Sequence, residues 1–425
     1  MMRPGKRLVL LPGALLSACA LADGFVPDTS VQLGLEHREF LQQAQRDEQS
    51  DRSSSVWLEP ELVWDVADNQ RLTFKPFYRY DSVDDERTHG DVRELLWQGW
   101  GSSWEVRAGI GKVFWGVTES LHLVDVINQT DQVEAPDGED KLGQPMLHGI
   151  WLHPLGTLEA FVLPGFRERT FAGPEGRLST PLTVLDDALY ESSDDDQHID
   201  YALRWSRSFE VSEWPLDVSA AWFSGTDRDP VLLPTAGLVD GLPGIVGLSA
   251  FYPQVDQLGI TLQSTVDSWL WKLETLHRDY SAKAALTAQN AGVTTLDDYW
   301  AAVGGFEYTL TGPFAECCDS ALDVGLLLEY QYDERGKGAA FAQNDVFAGT
   351  RLAFNDMDSS EILAGVVQDL DFSNSRSVKV EASTRLTEQS TLNLNLWWFM
   401  ADDQADPAYA LRADDYAELS WNWFF

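Results

Sequence analysis

The sequence predicts an all-β fold: a closed, antiparallel transmembrane β-barrel of about eighteen strands, with sixteen as the alternative count. Three observations predict it. Apolar residues recur at every second position over most of the chain, the period of a strand rather than of a helix. The connectors between such runs alternate between short and long. The chain closes on "AELSWNWFF", with Leu419, Trp421, Trp423 and Phe425 on one face and Glu418, Ser420 and Asn422 on the other. A strand with a polar face and a fully apolar face needs water on one side and lipid or core on the other.

The runs justify the strands in order. Val31, Leu33 and Leu35 alternate with Gln32, Gly34 and Glu36; Leu72, Phe74, Pro76 and Tyr78 alternate with Arg71, Thr73, Lys75 and Phe77. The pattern returns at Trp104–Ile110, Ile199–Trp205, Val324–Tyr330, Val378–Ala382 and Leu392–Trp398. Strand centres are expected near 35, 60, 76, 95, 107, 150, 162, 202, 219, 260, 274, 304, 327, 350, 365, 380, 394 and 419. Connectors after even strands are mostly short, as at 66–69, 100–102, 154–156, 265–267 and 357–359. Connectors after odd strands are mostly long and acidic, as at 42–52, 82–90, 113–145, 168–196, 226–253, 281–297 and 401–413, with a tight exception at 372–376. Strands of about ten residues, with turns at one end and loops at the other, suit a sheet that closes in lipid, where every backbone polar group must be paired. A soluble sandwich or propeller gives no reason for one class of loop to be longer.

Composition bounds the partners. Against 68 Asp plus Glu stand 30 Lys plus Arg, a net charge of -38, which excludes nucleic acid as a partner. Residues 1–22 read as a secretion signal: Arg3, Lys6 and Arg7, an apolar run over 8–18, then Ala20-Leu21-Ala22. Leu16-Ser17-Ala18-Cys19 also fits a lipoprotein processing site. Residues 23–425 then form the barrel. Cys317 and Cys318 are the remaining cysteines and make no disulfide framework. About seven residues separate Asp23 from the first strand, too few for the plug of an energy-coupled transporter.

A leader, alternating strands and the terminal Phe425 together resemble Gram-negative outer-membrane proteins. The resemblance implies localisation in the outer membrane. It also implies a terminal aromatic read by the barrel-assembly machinery, and contact with outer-membrane lipid and lipopolysaccharide. A narrower likeness lies in "GKVFWGVTESLHLVDVINQTD", residues 111–131. It is similar to a segment of poorly characterised proteobacterial barrels related to alginate-export-type porins, through Gly111, Lys112, Trp115, Gly116, Asp125 and Asn128. Lys112 and Gln129 depart from the Arg and Pro of that pattern, so no substrate is carried over.

The expected function is a channel passing small polar or charged solutes, since a barrel this wide leaves an aqueous bore. Two alternatives are an exporter of a polysaccharide or amphiphile working with periplasmic partners, and a sealed barrel serving as a surface scaffold or receptor. No nucleophile–base or metalloprotease pattern points to an enzyme. The third long connector is the candidate constriction. Leu121, Val124 and Ile127 are expected to form a helical stripe there, with Glu119, Asp125 and Asn128 polar beside it and Lys112 at its root. Parity places Arg71, Lys75, Arg79, Arg107 and Arg204 in the lumen, with Glu59 and Glu61, either orienting a solute or forming cross-strand ion pairs. The acidic stretches "SVDDERTHGD", "APDGEDK" and "ESSDDDQHID" match no calcium-loop spacing; they read as a solvated outer surface that divalent cations could bridge. No other cofactor or metal is expected.

Overall fold

The computed structural model describes residues 26–425 apart from 240, 282–283, 287–292, 314–320 and 338–340. The expected leader, with Cys19, and the Cys317–Cys318 pair lie outside the described residues. Eighteen strands form one antiparallel sheet. In chain order they are β1 (Asp28–Phe40), β2 (Arg52–Ala67), β3 (Gln70–Asp81), β4 (Gly90–Trp100), β5 (Trp104–Gly111) and β6 (Gln144–His153). There follow β7 (Gly156–Pro164), β8 (Ile199–Val211), β9 (Trp214–Thr226), β10 (Gln254–Val266), β11 (Trp269–Tyr280) and β12 (Tyr299–Leu310). The last six are β13 (Asp323–Asp333), β14 (Asn344–Ala353), β15 (Glu361–Asp369), β16 (Arg376–Thr387), β17 (Ser390–Met400) and β18 (Tyr416–Phe424). Every expected strand centre falls inside one of them.

Each strand pairs with its sequence neighbour, and β18 pairs with β1 to close the sheet, so Leu33 faces Trp423 and Leu35 faces Trp421. The seam finishes with Phe425 N donating to Val31 O at 3.0 Å and Val31 N donating to Phe425 O at 3.0 Å. The eighteen-stranded sheet is left with no edge to seek another chain. The two faces of the terminal strand then part as the alternation requires: Glu418 and Ser420 are buried, while Leu419 is 49% and Trp421 42% exposed. Large apolar side chains point outward on many strands, among them Leu58, Leu147, Leu203, Ile260 and Leu328. Aromatic residues cluster at both ends of that outer band. Tyr78, Tyr80, Tyr201, Trp300, Tyr330 and Tyr332 sit toward the long loops, and Trp104, Trp151, Trp269, Trp271 and Trp421 toward the short turns. Such girdles are what a lipid interface selects.

Two local departures have physical causes. Pro76 cannot donate to the sheet ladder. Beside it the register slips, with Lys75 opposite Glu94 but Pro76 opposite Val92. The extra residue is Arg93, which the bulge turns inward, where it is buried. The long connectors also carry structure that the strand count omits. Val231–Val239 and Leu242–Tyr252 form a hairpin, to which Leu189–Tyr190 pairs in parallel through Phe251 and Tyr252. Gly241, at the hairpin turn, has φ +81, which a glycine adopts without strain. The short class of connectors also has an exception, 311–322, between β12 and β13.

Candidate functional site: a loop inside the lumen

The connector 112–143 runs into the barrel instead of covering its rim. Its root is closed by Asn128, whose Nδ2 donates to Gly111 O and Leu142 O at 2.9 Å each and whose Oδ1 accepts from Val113 N at 2.8 Å. Leu142 N donates to Gln129 O, and Asp131 N to Asp140 O, both at 2.8 Å, so the two limbs of the loop leave the wall together.

Its tip is caught by two carboxylates of the far wall. Glu274, fully buried on β11, accepts from Val117 N at 2.6 Å, Thr118 N at 3.1 Å, Thr118 Oγ1 at 2.8 Å and Val124 N at 3.2 Å. Glu329 on β13 accepts from Glu119 N, Ser120 N and Ser120 Oγ at 2.9, 2.9 and 2.5 Å. The loop's backbone donors are therefore satisfied by the wall rather than by a helical ladder. Residues 112–143 contain no helix, which corrects the expected helical stripe. A helix of three turns is marginal in water, and two buried carboxylates offer better acceptors.

Apolar burial seats the same segment. Trp115, Val124 and Ile127 join Phe161, Ala202, Phe223, Val255, Leu276 and Ala301 in one cluster along β7–β12. Gly259 on β10 leaves room for this approach; a Cβ there would meet Val124 Cγ1 at 3.0 Å. Leu121, the third residue of the expected stripe, is only half-buried and borders the remaining lumen.

A third attachment fixes the returning limb to β1–β4. Arg79 bonds Glu134 through Nε at 3.0 Å and Nη2 at 2.5 Å, and Glu36 through Nη1 at 2.9 Å. Arg87 bonds Glu36 at 2.8 Å, Asp81 at 3.0 Å and Val133 O at 2.9 Å. Arg93 pairs with Asp131 at 2.8 Å, and Arg38 with Glu418 at 2.5 Å and with Glu134 O at 2.6 Å. His89 Nε2 lies 3.2 Å from Asp131. Asp131 is held down to about 2: burial opposes its charge, but the His89 hydrogen bond and the Arg93 charge outweigh it.

The residues singled out from sequence occupy distinct places. Glu119 reaches Arg351 at 2.8 Å and Lys272 at 3.7 Å, bordering the open lumen. Lys112 is exposed at the loop root, borders the same space and has no ion-pair partner among the described residues. Asp125 and Asn128 are 8% and 1% exposed. Asp125 accepts from Trp115 N at 3.3 Å and pairs with Lys141 at 3.3 Å. These two hold the loop's shape, and both also border the same cavity. Of the wall charges, Lys75 pairs with Glu59 at 3.0 Å, Arg107 with Glu105 at 2.6 Å and Arg204 with Glu159 at 3.1 Å. Arg71 pairs with Asp65 at 2.9 Å at the short-turn end, and Glu61 accepts from Ser30 Oγ at 3.4 Å. The strand alternation points Glu274 and Glu329 inward as well, but nothing in the linear sequence says what they hold.

His122 belongs to the same device. Its Nε2 is 3.0 Å from Glu139, its Nδ1 3.9 Å from Glu274, and its ring meets Phe114 edge-on at 4.8 Å. Burial disfavours its charge, but Glu139 and Glu274 outweigh that and push it up to about 10.

Between the loop and the wall of β13–β18 and β1–β4 a cavity of about 1750 Å³ remains. Acidic side chains outnumber basic ones in its lining. A closed eighteen-strand barrel with an apolar outer band, a charged interior and a loop folded inside it has the architecture of a transmembrane β-barrel. No family model and no curated protein matches the chain. Among solved structures it is similar to OprB of Pseudomonas putida, at 12% identity over 94% of each chain with a TM-score of 0.45. It is also similar to OccAB3 of Acinetobacter baumannii, at 10% identity over 94% of this chain and 99% of that one, TM-score 0.47. A third is DcaP, an outer-membrane channel of Acinetobacter baumannii, at 11% identity over 94% and 97%, TM-score 0.43. At these identities the functional reading rests on the chain's own geometry.

Proposed function

We propose that the chain is a passive outer-membrane channel for small polar solutes, narrowed by residues 112–143 and favouring cations over anions. The observation that carries this reading is the cavity left beside the inward loop. It is bounded by charged and polar groups, and its net acidic lining attracts cations where water is scarce and screening is weak. The long-loop end faces the cell exterior in this reading, and the chain does no chemistry on what it passes.

Single-channel recording in planar bilayers tests it. Stable conductance with a reversal potential showing cation preference in a salt gradient is the expected result. Deleting 118–130 should raise conductance severalfold in a properly inserted barrel. A barrel that inserts but never conducts would mean a sealed scaffold and overturn the proposal.

A further inference from the structure

Trp57, on β2, is half-buried and borders the cavity. Gly34 stands opposite it on β1. A Cβ at Gly34 would lie 2.1 Å from Trp57 Cε2, 2.2 Å from Nε1 and 2.6 Å from Cζ2. Distances this short to three bonded ring atoms put that Cβ over the face of the indole rather than at its edge. The glycine therefore lets the ring lie across β1, with one face on the backbone and the other toward the cavity. A water-filled lumen is ordinarily lined by polar groups, so a partly bare indole there is out of place unless a solute covers it. Trp397, which borders the same cavity, has its ring face taken. Lys379 Nζ stands 5.1 Å over it, held by Asp137 at 2.8 Å and Glu381 at 2.7 Å. Trp57 has Phe77 as a ring neighbour, 6.2 Å away centre to centre, and no cation over its face among the described residues.

Register places polar groups around that ring. Asn422, on β18, faces Gly34 from the other side, so the order across the wall is Trp57, Gly34, Asn422. Two strand spacings, about 10 Å, separate the outer two, and the indole leans into the gap. Asn422 Oδ1 is buried with no donor from the wall. Half a turn of the carboxamide exchanges that acceptor with the Nδ2 donors, so Asn422 can offer either to the cavity it borders. Ser420, two residues along on the same face, accepts from Asn393 Nδ2 at 3.1 Å and keeps its own proton to give. Glu59, two residues from Trp57 on the same face, takes Lys75 on Oε1 at 3.0 Å, while Oε2 bonds nothing among the described residues. Ser420 and Glu59 border the cavity as well.

A flat apolar floor with acceptors and donors at its edge asks for a solute with an apolar face and a hydroxyl rim. We propose that Trp57, seated on Gly34 and flanked by Glu59, Ser420 and Asn422, is a stacking subsite for a neutral pyranose sugar of glucose configuration; the inference rests on the channel reading above. In such a ring the substituents are equatorial. Both faces then present C–H bonds, whose slight positive charge suits the electron-rich face of an indole. The hydroxyls lie at the rim, where each can donate to Glu59 or Asn422 and accept from Ser420. An aromatic acid would cover the indole but bring no row of hydroxyl donors to those acceptors. An ammonium solute would meet Lys75 beside Glu59.

The test uses the full-length folded barrel, titrated with cellotriose by calorimetry in detergent and recorded in potassium chloride across a planar bilayer. Cellotriose should bind saturably and interrupt the current. Sorbitol, an open-chain polyol without a flat face, should do neither. Trp57→Ala should weaken cellotriose binding about tenfold, the loss of one stacked ring. Trp57→Leu, which keeps bulk in the wall, reads the same loss should the alanine variant not fold. Trp57→Phe should retain most of the affinity, and Trp397→Ala should keep it. Three results would overturn the proposal: no saturable cellotriose binding in the wild type, equal binding in Trp57→Leu, or equal binding of sorbitol. A barrel that conducts potassium chloride but ignores cellotriose loses the sugar subsite and keeps the channel. One that binds cellotriose in the titration without conducting loses the channel and keeps the subsite.

Discussion

On the β1–β4 side of the long-loop mouth, Glu36, Asp81, Asp131 and Glu134 are buried among Arg38, Arg79, Arg87 and Arg93. On the β14–β15 side Asp345 and Asp369, like Asp406 on the last connector, are buried with no arginine paired to them among the described residues. Burial makes the same demand of both groups, since a carboxylate leaving water must be paired and hydrogen-bonded. The first group meets it from within the chain, with planar guanidinium forks that bond two carboxylates at once. The second leaves oxygens unanswered. The difference teaches that burial is answered in two ways in one mouth. The returning limb of the inward loop is fastened by internal salt bridges, while the opposite rim meets its carboxylates with backbone and amide donors.

The largest break in that comparison is Arg79→Ala. It leaves Glu36 and Glu134 without their forked donor in a site that admits little water. Removing one partner of a buried pair costs about 3–5 kcal/mol. The folded band in detergent should convert to the unfolded form at markedly lower temperature. A loss below about 1 kcal/mol would mean the network is hydrated and the two sides of the mouth are alike.

Next comes the far-wall catch. Glu274→Gln keeps the shape but removes the charge that four donors address, and an amide must turn one N–H toward them. Each stranded buried donor costs roughly 1–3 kcal/mol, not additively. The loop tip should detach while the barrel stays closed, because β11 keeps its ladder to β10 and β12. Conductance should rise and grow noisy with little change in Tm. Unchanged conductance would show that apolar contacts around Val124 and Ile127 hold the loop unaided.

A smaller effect follows from His122. Its pKa is raised in the folded chain to about 10, against an unfolded value near 6.5. The imidazolium therefore contributes its stabilisation in full below about pH 6.5 and loses it as pH climbs through 10. Loop fluctuations seen as current noise should increase between those limits. His122→Gln should flatten the dependence. A wild-type trace that is quiet at pH 10 would remove His122 from the catch.

These sites differ in how far the sequence revealed them. The strands were legible because lipid outside and water inside force a period of two, and a Trp421 or Leu203 has one acceptable face. The inward path of 112–143 was legible from its length and its apolar residues. Its conformation was not, because Glu274 and Glu329 lie more than 150 residues away along the chain, and only closure of the sheet brings them to Val117 and Ser120. The internal partners of Asp125 and Asn128 were illegible for the same reason: beside the cavity that both border, their polar groups serve Trp115 N, Val113 N and two carbonyls. The bulge that turns Arg93 inward had a local signal in Pro76. The Asp345–Asp369 opposition had none, since it depends on register.

The least disruptive change separates charge that builds from charge that filters. Asp125→Lys is a poor probe of selectivity, since it would set a second ammonium against Lys141 and withdraw the acceptor of Trp115 N. Lys112 is the better one. Its side chain is exposed to the cavity, and its ammonium bonds nothing among the described residues, so replacing it strands no partner. Surface changes of that kind stay within about 0.5 kcal/mol of neutral. Its charge, however, stands among Arg93, Lys75, Glu59 and Asp140 at the root of the loop, where it opposes cations entering an otherwise acidic bore. Lys112→Glu should leave Tm unchanged and move the reversal potential further toward cations. The shift should be larger at low salt, where the Debye length reaches about 30 Å at 0.01 M. A reversal potential indifferent to Lys112 would place the narrowest point elsewhere along the loop, beside Glu119 and Arg351 on the opposite wall.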